Sequence, residues 1–338
     1  MPDRLKGLLS LAASLALGLG LLWLALRGAD LGAVAEALAA GEWIWLGPFV
    51  LVGLASVAVR AWRWGLLIDA LPGRRGRVPL RLTASSVAIG YLVNYAAPRL
   101  GEVARAANVS RGAEAPFSAV FGTVVAERVL DVVALALALG SVAVLFGNRL
   151  GGIWGAITAQ LADLAARTPA WAVVGAIVAG LVALAGAAWL VRRGSGKASE
   201  LLASFRDGLA SVARTGRPGA VVVSTLLLWA CYALMADLPL RLLGLDEAFG
   251  LGLAEAWAVM AIGGIGMALP APGGTGSFHY ATVQALTLLF AVSVTPAATY
   301  ALLVHAAGIV FYCALGVAAL AAQGTSLGAL TARARTAA

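Results

Sequence analysis

In the run "VVAERVLDVVALALAL", Glu127, Arg128 and Asp131 interrupt a segment that is otherwise apolar. Glu127 and Asp131 are one helical turn apart and Arg128 is three residues from Asp131, so all three share a sector of about 100° on a helix. A charge that far into an apolar segment costs several kcal/mol unless it is paired or wetted. Two readings compete: a polar groove that passes a charged group, or a structural ion-pair network that pins neighbouring elements.

A second charged stretch, "NYAAPRLGEVAR", runs from Asn94 to Arg105. Pro98 ends one helix and suits the first turn of the next, leaving free backbone N–H groups from Arg99 onward at a positively polarised helix start. A helix start beside an arginine is a phosphate-binding arrangement. Arg99, Arg105, Asn94 and Arg63 are therefore the candidate phosphate ligands, with Gly101 and Glu102 at the turn. Glu102 lies three residues from both Arg99 and Arg105 and can neutralise one while the other stays available. The competing reading is a solvated loop whose arginines only set topology.

The stretch "LPAPGGTGSFHYA" is built for a tight turn. Pro270 and Pro272 stop a helix, Gly273, Gly274 and Gly276 permit sharp backbone turns, and Ser277 can cap the helix that follows. His279 stands near that helix start, where it can titrate near neutral pH or serve as a hydrogen-bonded structural histidine. In "VAVRAWRWGLLIDAL", Arg60 and Arg63 share one helical face with Trp62 and Trp64 beside them. Snorkelling to headgroups explains both arginines, and Arg63 can also turn inward.

The elements that must position these groups follow from composition. The 338 residues are 61% hydrophobic and 12% charged, and mean hydropathy is +0.92. That is far above what a soluble core and polar surface require, so the chain is expected to be an integral membrane protein. Net charge is +8, but basic residues between apolar segments are what the positive-inside rule produces, so no nucleic-acid partner is expected. Cys231 and Cys313 sit inside apolar runs, and with two histidines in the chain no disulfide, metal site or cofactor is indicated. The glycine turn has no preceding strand and no P-loop lysine, which excludes a nucleotide-binding loop.

Apolar segments are predicted at roughly 7–26, 43–71, 83–97, 117–147, 171–191, 219–243, 252–269, 276–292 and 297–321. The connector after the first carries Asp30, Glu36 and Glu42 and reads as external; the next carries Arg74, Arg75, Arg77 and Arg81 and reads as cytoplasmic. The basic connector with Arg99, Arg105 and Arg111 returns after only about 15 apolar residues, short of the roughly 20 needed to span, so 83–108 is read as a re-entrant hairpin. The expected fold is an all-α polytopic bundle forming a single transmembrane domain over 1–338. It is an inverted repeat, half one about 7–147 and half two about 171–321, each with three spans and one re-entrant hairpin, plus a cytoplasmic tail 322–338. A bundle in which all nine segments cross is the alternative. Small residues are too frequent to single out an oligomer face, so oligomeric state stays open.

The order and spacing of "RAWRW" from Arg60, "NYAAPRLGEVAR", "ERVLD" from Glu127 and "PAPGGTG" from Pro270 resemble the transmembrane region of lysylphosphatidylglycerol synthases, also found as stand-alone flippase-like membrane proteins. The resemblance covers about 43–321. It implies a lipid-translocating domain of the bacterial inner membrane that moves a phosphate-containing lipid between leaflets, with both termini cytoplasmic. Only about 17 residues follow the last apolar segment, so the expectation is that the soluble synthase domain is missing and the chain is no enzyme. Many relatives carry a glutamate shortly after the glycine turn where this chain has His279, so a role tied to that glutamate is not carried over. Under the leading reading, Arg99 and the helix start hold the lipid phosphate while Glu127, Arg128, Asp131 and His279 line a polar groove. Under the alternative, the chain is a non-transporting scaffold or accessory subunit for a lipid-modifying or glycosyl-transferring enzyme. Membrane lipids are the expected partners in the first case, and such an enzyme in the second.

Overall fold

The computed structural model describes residues 2–71, 76–96, 100–151, 212–269 and 271–324, with side chains left aside at 2–13 and 96. Every regular element among them is helical. Four helices are long and apolar enough to cross a bilayer: Trp43–Asp69, Phe117–Leu145, Pro218–Leu242 and Val294–Ala322. A bent pair, Ser14–Leu26 with Leu31–Ala39, makes a fifth candidate if counted as one span.

In chain order the helices are α1 (Pro2–Leu26), α2 (Leu31–Ala39), α3 (Leu46–Asp69), α4 (Leu80–Ala96), α5 (Leu100–Gly112), α6 (Phe117–Leu145), α7 (Pro218–Leu242), α8 (Leu245–Phe249), α9 (Leu253–Ala268), α10 (Ser277–Gln284) and α11 (Val294–Ala322). The long helices match the apolar segments read from sequence to within a few residues. Large apolar side chains such as Val144, Leu226 and Val310 stand exposed on α6, α7 and α11, as lipid-facing residues do. The predicted helix at 171–191 lies outside the described residues.

The acidic connector 27–42, expected as a plain loop, contains α2. Asp30 starts it, its carboxylate accepting from the Gly32 and Ala33 amides at 2.8 and 3.2 Å. The axis turns by 80° from α1 to α2. An N-cap satisfies backbone donors that would otherwise be orphaned, which lets a nine-residue helix persist.

Two helical hairpins sit among the long helices. In the first, α4 and α5 pack antiparallel along their whole length: Asn108 donates to Ser86 at 2.8 Å, and near the tip the Gly101 amide donates to the Asn94 side chain at 2.8 Å. The backbones come so close that a Cβ on Gly101 would lie 2.1 Å from the Gly90 carbonyl oxygen. The Asn108 side chain is thus committed inside the hairpin. In the second hairpin α9 packs on α10, with Gly266 against the Ser277 backbone and Gly263 against Phe278 and Thr282. At 1.5 Å per residue, α4 is about 26 Å long and α9 about 24 Å, each shorter than the roughly 30 Å hydrocarbon core.

The helices pair by the same rule in both parts of the chain. α3 packs on α4 as α7 packs on α9, α5 packs on α6 as α10 packs on α11, and each hairpin also leans on the last helix of the other part, α4 on α11 and α9 on α6. α3 and α7 touch directly and run antiparallel, because the Glu42 amide at the start of one donates to the Leu242 carbonyl at the end of the other at 2.8 Å. α4 and α11 are antiparallel too, with Gln323 donating to Ser85 at 2.6 Å and Tyr91 against Tyr312. The hairpin tips approach each other through the Tyr95 ring, which lies 3.2 Å from where a Cβ on Gly273 would be.

Candidate functional site

Glu127 sits on α6, about 15 Å along the axis from the first residue of that helix, and is fully buried. Four guanidinium groups surround it. Its Oε1 accepts from Arg60, from Arg63 at 3.4 Å and from Arg128 at 3.2 Å, while Oε2 accepts from Arg105 at 3.0 Å. Asp131, one turn further on, accepts from Arg63 at 2.6 Å through Oδ1 and from Arg60 at 3.1 Å through Oδ2, which also forms an ion pair with Arg128 at 3.4 Å. α3 supplies Arg60 and Arg63, α5 supplies Arg105, and α6 supplies both carboxylates with Arg128.

α7 closes the cluster. The Tyr232 hydroxyl takes a hydrogen bond from Arg60 Nη2 at 2.8 Å, and Thr225 Oγ1 takes one from Arg63 Nη1 at 3.3 Å. The Arg105 guanidinium stacks over the Trp64 ring, 4.7 Å from its centre, and the Trp64 indole donates to Thr123 at 2.9 Å. A weakly hydrated guanidinium on an indole face keeps its charge while shielded from lipid.

The Glu127, Arg128 and Asp131 sector predicted from sequence therefore faces inward, and the cluster resolves which way Arg60 and Arg63 turn. Snorkelling explained both from sequence; in the structure both are buried and point into the bundle. Sequence reasoning left Arg60 out of the site, although its three-residue spacing from Arg63 put the two on one face. Tyr232 and Thr225 carried no signal, since a lone tyrosine or threonine in an apolar helix is ordinary.

The charge balance is uneven. Four arginines meet two carboxylates, a surplus of two positive charges (4 − 2 = +2). Hydrogen-bond valency is uneven in the same direction. All four carboxylate oxygens are engaged, whereas Arg63 Nε and Arg105 Nη2 are buried donors with no partner among the described residues. A buried donor without an acceptor costs about 1–3 kcal/mol, more when charged, and that cost is relieved by an incoming oxygen anion. Arg128 opens the cluster outward, its side chain 45% exposed.

Around the first hairpin the predicted ligands divide. Arg105 pairs with Glu127 and not with Glu102. Glu102 Oε1 accepts from Asn94 at 3.5 Å, and its Oε2 is buried without a hydrogen-bond partner among the described residues. Asn94 bridges the tip, its carbonyl taking the Gly101 amide and its amide group facing Glu102. Asn94→Ala is expected to cost about 1 kcal/mol, the usual loss for a missing helix cap, read as a lower thermal midpoint of the purified protein. Pro98 and Arg99, the centre of the sequence-predicted phosphate site, lie outside the described residues, as does Pro270.

The second tip is a turn of left-handed backbone. Pro272 opens a short 3-10 turn, and Gly273, Gly274 and Gly276 have φ of 59°, 75° and 84°. Ser277 does not cap the next helix, contrary to expectation. It is the first helical residue, and its hydroxyl donates back to the Gly274 carbonyl at 3.3 Å. His279 takes the capping place, its Nδ1 accepting the Gly276 amide at 3.3 Å. The ring also meets His305 of α11, the centroids 4.6 Å apart, and His305 Nε2 lies 3.3 Å from Thr275 Oγ1. His305 was missed from sequence because a single histidine in an apolar helix has no spacing to mark it. His279 is carried on the second hairpin and His305 on α11, whereas the arginine cluster is built from α3, α5 and α6. Among the described residues no group of three or more His, Cys, Asp or Glu side chains is arranged to hold a metal ion.

Comparison with known proteins gave one family match and no match among curated proteins or solved structures. The family is described as the lysylphosphatidylglycerol synthase TM region, and its profile matches residues 11–316. That span holds the arginine cluster, both hairpins, three of the long helices and most of α11, so the chain is a member of the lysylphosphatidylglycerol synthase TM region family of membrane proteins.

Proposed function

We propose that the protein is a lipid flippase-like transporter that moves a phosphate-bearing lipid between leaflets of the bacterial inner membrane, with the lipid phosphate held at the arginine cluster. The observation that carries this reading is the leftover donor valency at Arg63 Nε and Arg105 Nη2 beside a surplus of two positive charges. A phosphate supplies the missing acceptors and offsets the charge, and guanidinium forks match its oxygens. The acyl chains stay in the bilayer, so the protein has to shelter only the headgroup. No reaction is assigned: each cluster carboxylate is already tied up by arginines, which leaves neither free for acid–base work.

The architecture that serves this function is an inverted repeat. The matching helix pairings of α3–α6 and α7–α11, together with the antiparallel contact of α3 with α7, support two halves of opposite orientation. Arms too short to span support re-entrant hairpins. Inverted halves with Gly- and Pro-interrupted segments meeting inside the membrane are the usual frame of alternating-access transporters. The basic connectors support a cytoplasmic location for both termini.

Reconstitution into liposomes with a leaflet-selective lipid assay tests the assignment. Arg105→Gln removes a donor that faces the open valency yet leaves Glu127 with three guanidiniums, so the fold is retained. Headgroup movement should slow by about tenfold to a hundredfold, the value of one charged hydrogen bond of roughly 1.5–3 kcal/mol. Movement at the parent rate in a folded Arg105→Gln protein would remove the cluster from the lipid path. A pure protein that moves no lipid and co-purifies with a lipid-modifying enzyme would favour the scaffold reading.

A further inference from the structure

Apart from the arginine cluster, a cavity of about 280 Å³ opens where the end of α3, the start of α4 and the start of α7 converge. Its wall includes Trp62, Leu66 and Asp69 of α3, Thr83 of α4, and two arginines, Arg77 before α4 and Arg217 before α7. Both arginines are exposed, and neither guanidinium has a hydrogen-bond or ion-pair partner among the described residues. They come from connectors about 140 positions apart in the chain, so the fold and not local sequence brings them to one opening. Trp62, 40% exposed at the mouth, is an amphipathic ring of the kind that settles at headgroup depth. Leu80, on the same rim, is half exposed and apolar. The volume accommodates a glycerophosphate group but not acyl chains.

We propose that this cavity binds the headgroup phosphate of an anionic phospholipid from the basic-side leaflet, with Arg77 and Arg217 as its cations and Trp62 and Leu80 against the first part of the acyl chains. Ala61 and Gly65 on the cavity wall lie on the same helix as Arg60 and Arg63, whose side chains point to the cluster. The cavity is thus a place where a lipid waits beside the central arginines. Its onward path to them rests on the translocation reading; its binding does not.

Native mass spectrometry of the full-length protein titrated with phosphatidylglycerol is the test. The Arg77→Gln/Arg217→Gln protein should need about thirtyfold more lipid for half-saturation of its tightest site, roughly fivefold per cation near an anionic headgroup. Arg77→Lys/Arg217→Lys should stay close to the parent, because it keeps both charges. The central cluster is identical in all three proteins, so the difference reports the cavity. Unchanged half-saturation in the glutamine protein overturns the proposal, and so does displacement of the lipid by an equal concentration of soluble glycerol 3-phosphate, which would make the site one for free phosphate. Arg105→Gln should retain the tight phosphatidylglycerol site even with lipid movement slowed, so failure of the translocation reading and failure of this one give different results.

Discussion

Glu127→Ala is expected to leave little folded protein. The substitution strips the central acceptor from Arg60, Arg63, Arg105 and Arg128 at once, leaving Asp131 to face three guanidiniums and Arg105 without its carboxylate. Breaking a buried ion pair by deleting one partner costs about 3–5 kcal/mol because the survivor stays buried and uncompensated. Here several cations are stranded together, so the loss should sit at the upper end of that range. The measurement is a thermal melt followed by intrinsic tryptophan fluorescence, alongside monodispersity on size exclusion. Glu127→Ala/Arg60→Met should recover part of the loss by removing one stranded charge. A Glu127→Ala protein that melts with the parent would show that the network contributes no stability.

The second large effect is expected at Gly276. This residue has φ of 84° and packs backbone to backbone against α1: a Cβ there would sit 1.8 Å from the Gly18 carbonyl oxygen. Two costs add in Gly276→Ala. Left-handed backbone costs an L-residue roughly 1–2 kcal/mol, and an overpacked contact that no rotamer can relieve adds about 1–3 kcal/mol. The total, about 2–5 kcal/mol, should appear as a depressed midpoint and as easier proteolysis between α1 and α2 once α1 loses its seat. Gly20→Ala is the matched control, since nothing lies within 4 Å of a Cβ at that position and its midpoint should not move.

How much of this was legible in the sequence depends on the kind of signal each element leaves. α3, α6, α7 and α11 are long apolar runs, and hydropathy finds them because lipid demands an apolar exterior over about 20 residues. The first hairpin was marked by an apolar segment too short to span, and the second by its proline- and glycine-rich turn. α2 was missed because its acidic flank read as a connector and its N-cap, Asp30, was counted as loop charge. The inward sector of α6 was readable from one-turn spacing alone, since ionisable groups in an apolar helix have few places to point. Arg60 was ambiguous because snorkelling and burial need the same residue in the same helix and differ only in how the helix is rotated against its neighbours. Tyr232, Thr225 and His305 were invisible for a simpler reason: each depends on a contact with a residue tens to hundreds of positions away. His279 stands near the helix start as read, but its capping of the Gly276 amide required knowing that the helix starts one residue earlier than a Ser277 cap implies.

If the arginine cluster holds a lipid headgroup as proposed, its uneven hydrogen-bond valency also sets a polarity for what dwells there. All four oxygens of Glu127 and Asp131 already accept from arginines, so the ammonium or hydroxyl of an arriving headgroup is met less well there than its phosphate oxygens, which find open N–H groups on Arg63 and Arg105. On that proposal the cluster would discriminate by direction of donation as well as by net charge. A zwitterionic headgroup must enter phosphate first, with its amine trailing toward water or toward the half-exposed face beside Arg128. Lipids that differ only in the amine end should be sorted weakly at this point, and lipids that lack a phosphate should not be held at all.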